Sequence, residues 1–465
     1  MNHSGKVDQD DIVRARNVLL ASGRRTPREE VDAYRVLAQV SPASYLPLLA
    51  RALQRLSYDT SSGKKHAACL ALCEEAVAVA RSIDPAEPAR ADVLYEALNT
   101  CQRELYDLGR RAEGLAMRAE MLAIGRAQAE LSGDSVVKGL RVWAAGLSEE
   151  GRYAEAADAM TELVAAILPD GPASGGLAWS LLEWIAALHD AGRSGEALAA
   201  FETLVSMEAA EAANDRGPMA CHLYSLIGYA RMLDVHGRGG QAALVRQEAL
   251  ALLTELADTG ERKSWSGYQA SFWAVLLNFS GAESDRPAPD GPRPPSGAAP
   301  LQWSPDAKRR YFDSRHALRE EVDTLAARAA EDPDQYLAEL VRLHRVLTVR
   351  SAVYWENRTH LFAERVRSLF DDGVSLARRL SQHDPTYGTR TLARILIDRS
   401  TFHTAAHEFG AALDDFRQAL SYLGEANQPE PADVRPRTRT HEQLPRPRKI
   451  GDSVTSNSPG YQQRP

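Results

Sequence analysis

Little in this chain of 465 residues could anchor a disulfide framework, a membrane span or a polyphosphate site. Its four cysteines, Cys69, Cys73, Cys101 and Cys221, form no paired CxxC units of the kind that hold zinc, and four thiols in so long a chain make no disulfide scaffold. They predict a reducing compartment. No apolar run approaches the roughly 18 residues that a spanning helix needs. The opening residues, MNHSGKVDQDD, lack an apolar h-region. The expectation is a cytoplasmic protein with no membrane partner. A formal charge of −8 and a pI near 5.9 leave no basic surplus to release counterions from a phosphate backbone, so no nucleic acid is expected either.

Catalytic signatures are missing as well. There is no HExxH, no HxH, no GxxxxGK[ST] loop and no GxSxG elbow. The glycine-rich run GRGGQAA at 237–243 has no strand before it and is not read as a dinucleotide loop. Acidic pairs such as Glu74 with Glu75, Glu149 with Glu150 and Asp414 with Asp415 fall on polar helix faces and read as solvated charge. Cys69 and Cys73 stand four apart on one predicted helix, with Cys101 in the next repeat. Core packing is the ordinary role of such thiols, and a metal or redox site is the alternative. The chain is therefore not read as an enzyme, and no catalytic residue, cofactor or metal is assigned.

What the chain does have is self-similarity. The pattern L-x3-G-R-x2-[EQ]-[AG] recurs as LYDLGRRAEG, LSEEGRYAEA, LHDAGRSGEA and LDVHGRGGQA, with its glycines at Gly109, Gly151, Gly192 and Gly237. The period is about 42 residues, within the range of helical repeats. Upstream of each glycine runs an apolar stripe at helical spacing, such as Leu140, Trp143, Ala144 and Leu147, or Leu181, Trp184, Ile185 and Leu188. A residue without Cβ can take the left-handed conformation that ends a helix. Five residues on comes a small residue, Gly114, Ala156, Ala197 or Ala242, which lets a second antiparallel helix approach closely. Each unit is a helical hairpin too small to bury its own apolar face, so neighbours must stack.

This order of residues resembles the tetratricopeptide repeat, in a long-period form. HEAT and armadillo units, whose natural period lies nearer 40 to 47, are the competing reading. The predicted fold class is all-α, an α-solenoid built as a right-handed superhelix of antiparallel hairpins. Weaker copies flank the clear ones. CLALCEEAVAVAR closes a repeat near 50–83, YLAELVRLHRVLTVR echoes the helix before it, and a last hairpin places Ala412, Phe416 and Ala419 at the expected offsets with His407 where the turn glycine would be.

The stretch 281–305 carries seven prolines and cannot continue a helix. The predicted organisation is N-terminal capping helices over 1–48, a repeat array over 49–280, a proline-rich linker over 281–305, a second helical segment over 306–426 and a disordered tail over 427–465.

The resemblance implies a partner polypeptide held along the first helices of the repeats. Carried over residue by residue, the groove is lined by Asn99, Arg103, Tyr106, Lys138, Arg141, Trp179, Leu182, Tyr224, Ile227 and Arg231. It runs from polar and basic to apolar. Large side chains such as Trp179 and Tyr224 call either for a partner or for cover from a neighbouring helix or folded-back tail. The expected function is a protein-protein interaction scaffold or adaptor. A regulator that senses a peptide or small molecule through the array is the alternative, and a second copy of the chain stays open as a further partner.

Overall fold

The computed structural model describes residues 7–21, 25–61, 65–169, 176–214, 217–263, 266–285, 293–354 and 359–424. The expected tail at 427–465 lies outside the described residues. Every described element is helical, and consecutive helices pack against each other, giving an all-α solenoid.

Two short helices lead in, α1 (Gln9–Leu20) and α2 (Pro27–Val40). Each opens on a capping box, Asp8 with Asp11 and Thr26 with Glu29, in which side chain and backbone satisfy each other's otherwise unpaired groups. Five hairpins follow. They are α3 (Pro42–Ser61) with α4 (His66–Arg81), α5 (Arg90–Asp107) with α6 (Arg111–Ser132), α7 (Leu140–Glu149) with α8 (Tyr153–Ile167), α9 (Leu177–Asp190) with α10 (Ser194–Ala213), and α11 (Met219–Val235) with α12 (Gly239–Thr259).

The repeated motif is explained by the turn it makes. Gly192 takes φ +74°, its N–H donates to the His189 carbonyl at 3.0 Å, and the Arg193 N–H donates to the Leu188 carbonyl at 2.8 Å. Gly109, Gly151 and Gly237 repeat that pattern. The arginine after the glycine pairs with the glutamate three residues on at 2.6 Å in Arg110–Glu113, Arg152–Glu155 and Arg193–Glu196, so the motif's R-x2-E is an ion pair over the first turn of the second helix. The small residue five positions on is buried: a Cβ at Gly114 would stand 2.9 Å from the Tyr106 ring, and Ala156, Ala197 and Ala242 are fully covered.

After α12 the chain leaves the stacking direction. Helix α13 (Ser266–Gly281) buries Phe272, Trp273, Ala274, Val275, Leu276 and Leu277 in succession. A helix apolar on all sides belongs inside a core. Helices α14 (Pro305–Glu331), α15 (Pro333–Tyr354), α16 (Thr359–His383), α17 (Pro385–Ala405) and α18 (Phe409–Tyr422) then stack in order. Helix α14 begins beside α5, and α18 packs on α12. Leu181, Phe201 and Tyr224 of the array share one apolar core with Trp273, Val353, Phe370 and Phe402, and all described residues belong to one compact unit.

The α17–α18 turn keeps the geometry of the glycine turns without glycine. His407 takes φ +62°, its N–H donates to Thr404, and Glu408 donates to His403 at 2.8 Å.

Candidate functional site

The expected groove positions do not form one open face: Lys138 lies in the turn before α7, Ile227 packs in a different core from Leu182 and Tyr224, and the chain's own later segments cover several of the others. Trp179 on α9 meets Tyr268 and Phe272 of α13 edge-on, with ring centroids 5.4 and 5.9 Å apart. Leu182, one turn further, is buried. A Cβ on Gly297 would lie 2.4 Å from its carbonyl and 2.5 Å from the Cβ of Ala186, so the segment before α14 crosses α9 where only glycine fits. Tyr224 on α11 is buried with its hydroxyl facing Gln269 of α13. Ile227 packs among Ala249, Leu253, Ala412 and Phe416, between α11, α12 and α18.

Arg231 donates to the Ser280 carbonyl at the C-terminus of α13, as part of a cluster of arginines. Arg345 donates to the Ser280 carbonyl (3.3 Å), the Ser280 hydroxyl (3.0 Å) and the Ser284 hydroxyl (2.8 Å), and Arg342 to the Ser284 carbonyl. Arg350 reaches Asp285. Cations belong at the end of a helix, where unpaired carbonyls and the dipole concentrate negative charge. Asp398 on α17 holds Arg345 in place, accepting from its Nε at 2.6 Å.

The polar end of the groove behaves differently. Tyr106 is fully buried beneath the guanidinium groups of Arg118 and Arg111, 4.3 and 4.9 Å from its ring centroid, and burial pushes its pKa up to about 12. Arg141 lies with Nε 3.1 Å from Glu183 and donates to the Ser180 hydroxyl. Burial raises Glu183 to about 7 against the opposing pull of Arg141. Asn99 is half-buried and accepts from Gln102. Lys138 is exposed, 3.9 Å over the Tyr95 ring and 3.3 Å from Glu96. Arg103 is exposed on α5.

One member of each of two acidic pairs expected in solvent is inside, Glu149 and Asp415, while Glu150 and Asp414 are exposed. Arg111 on α6 joins Glu149 (3.0 Å), Glu150 (2.7 Å) and Asp306 (2.8 Å), and the Ser304 N–H donates to Glu149 at 2.8 Å. This network fixes the start of α14 against the α7–α8 turn. Asp415 is likewise buried, accepting two bonds from Arg399 at 2.7 Å. Helical phase alone cannot show that another segment arrives on a polar face.

All four cysteines are buried, and burial raises the Cys73 thiol to about 11 and that of Cys101 to about 12. Neither is a nucleophile at neutral pH. His66, Glu104 and Asp107 offer three ligand atoms within 4.8 Å of one another. Each carboxylate already has a partner: His66 Nδ1 lies 3.0 Å from Glu104, and Arg309 donates to Asp107 at 3.0 Å.

Sequence reasoning missed the arginine cluster, Asp398 and the filling of the groove. One signal was present, the run FWAVLL at 272–277, which leaves α13 no polar face to show to water. No family model matches the chain, and a search of curated proteins finds no relative.

Proposed function

We propose that the chain is a tetratricopeptide-type binding protein of the cytoplasm, working as a scaffold or adaptor rather than as a catalyst. Its partner polypeptide lies over Asn99 and Arg103 of α5 and Lys138 in the turn before α7. One observation carries this reading: the groove positions on α9 and α11 are occupied by the chain's own α13, α18 and the Gly297 segment, whereas Arg103 on α5 is open to solvent. An acidic segment of the partner is the chemistry that Arg103 and Lys138 favour, through charge-assisted hydrogen bonds. Among the described residues no helix is long and apolar enough to cross a membrane, which agrees with a partner met in water.

The test is capture from an extract of the source cell with a photo-crosslinking residue placed at Thr100, beside the proposed path. Wild type and Arg103→Glu are compared, with far-ultraviolet circular dichroism confirming equal helicity. A discrete crosslinked species lost in Arg103→Glu supports the reading. The same species at the same yield in both proteins overturns it, as does the absence of any crosslinked species.

A further inference from the structure

We propose that His66, Glu104 and Asp107 hold a divalent transition-metal ion of the zinc class, at the joint where α4, α5 and the start of α14 meet. The site lies outside the polypeptide-binding reading and stands or falls separately from it.

Stacking of the hairpins brings the ligands together. His66 is the first residue of α4, and Glu104 and Asp107 stand in the last turn of α5. Their i,i+3 spacing puts both carboxylates on one side of that helix. The packing of α4 on α5 then carries the imidazole to them across 38 positions of sequence. One ligand atom from each residue lies within 4.8 Å of the other two, and all three side chains are half-buried. Zinc bonds of about 2.0–2.2 Å in a tetrahedron set neighbouring ligand atoms about 3.3 Å apart. His66 Nδ1 and Glu104 Oε2, 3.0 Å apart, already stand close to that separation. Asp107, no more than 4.8 Å away, has to come in by about 1.5 Å or less, a distance that turning one carboxyl group can cover.

The charge balance also favours a cation. Both carboxylates sit at the C-terminus of α5, where the helix dipole adds negative potential. Arg309 of α14 opposes them, donating to Asp107 Oδ1 and to the Asp107 carbonyl at 3.0 Å each. Among the described residues Glu104 has no lysine or arginine partner, its ion-pair contact being His66. With the imidazole neutral, as a metal ligand must be, two carboxylates and one guanidinium leave one negative charge unbalanced.

The donor set selects the kind of ion. Calcium takes six to eight oxygens and magnesium a near-ideal octahedron of them, neither of which suits a site built on an imidazole. One nitrogen and two carboxylate oxygens fit zinc and its first-row neighbours, with a fourth position left to water. Arg309 competes with the ion for Asp107, because it turns a positive charge toward the site. Metal binding therefore loosens the bond from Arg309 to the carboxylate, while its bond to the Asp107 carbonyl can persist.

The experiment treats the full chain with a chelator, removes the chelator, and titrates with zinc chloride by calorimetry and with cobalt chloride by visible absorption. The expected result is one ion per chain, a rise in Tm, and a cobalt spectrum without the thiolate-to-metal band that Cys69, Cys73 or Cys101 would add. His66→Ala should weaken affinity about tenfold or more, since even partners outside the ligand set contribute that much. Arg309→Gln leaves all three ligands in place and removes the competing charge, so it should tighten affinity about fivefold. That gain is one that damage to the fold would not produce, and it keeps the test informative if His66→Ala fails to fold. Absence of saturable binding, a thiolate band, wild-type affinity in His66→Ala, or weaker affinity in Arg309→Gln overturns the proposal.

Discussion

The indole Nε1 of Trp273 on α13 donates a 2.9 Å hydrogen bond to the hydroxyl of Thr401 on α17, across 128 positions of sequence. Both residues are buried, and the indole lies among Phe370 and Phe402, 6.5 and 6.2 Å between centroids. Trp273 thus ties the helix that fills the array to the hairpin that closes it. Trp273→Phe keeps an aromatic ring but removes the donor, and should cost about 1–2 kcal/mol. Trp273→Ala should cost about 3–5 kcal/mol through the cavity it leaves. Urea unfolding measures both, and a Trp273→Phe variant as stable as wild type would show that the hydrogen bond contributes nothing separate.

The buried pair of Arg345 with Asp398 makes a second prediction. Their side chains are 5% and 11% exposed. Arg345→Met leaves Asp398 without a counterion and should destabilise by about 3–5 kcal/mol. Arg345→Met with Asp398→Leu should recover much of that, because the uncompensated charge is gone, although the Ser280 and Ser284 contacts stay lost. A double-mutant cycle in urea reads the coupling. Additive losses would mean that the pair is not the clamp described.

The left-handed turns predict effects of opposite sign. A side chain in that conformation costs about 1–2 kcal/mol. His407 bears this strain at φ +62°, so His407→Gly should gain stability, by about 1 kcal/mol. Gly192 at φ +74° has open space around its Cα, so Gly192→Ala should lose about 1 kcal/mol from backbone strain alone. Thermal unfolding at fixed pH decides both.

Stability should fall as the pH rises through neutrality. Burial raises the carboxyls of Glu208 to about 8, Glu183 to about 7 and Asp190 to about 6. Each holds its proton in the fold at a pH where the unfolded chain has released it. The folded state therefore binds more protons over this window, and stability declines with a slope of up to about 1.4 kcal/mol per pH unit for each group. The Glu208 contribution is fully present below about 4.5 and gone above about 8. Glu208→Gln should flatten the slope between pH 5 and 8, measured by urea midpoints across that range. An unchanged slope would mean that Glu208 titrates normally.

How much of this could be read beforehand follows from which forces are local. The turns at Gly109, Gly151, Gly192 and Gly237 were legible because a helix end, an Arg–Glu pair and a small residue are all set within ten positions of each other. The His407 turn shows the reverse: its hairpin was visible from Ala412, Phe416 and Ala419, while the left-handed backbone at His407, closed by the same local hydrogen bonds as the glycine turns, is one that side-chain propensity argues against. The groove was legible as a face and not as a surface. Phase places Trp179, Leu182 and Tyr224 together, but only long-range packing brings α13 and Gly297 onto them. Glu149 and Asp415 looked solvated for the same reason, their partners Arg111 and Arg399 being chosen by the fold.

Repeat proteins lengthen by duplicating a hairpin and stacking the copy on a free end. The α12 end of this array is taken, since Ala412, Leu413, Phe416 and Leu420 of α18 cover Ala249, Leu253 and Leu256. A hairpin inserted after α12 would have to displace α18 while leaving α13 threaded through the interior. Growth in that direction is barred by the chain's own closure.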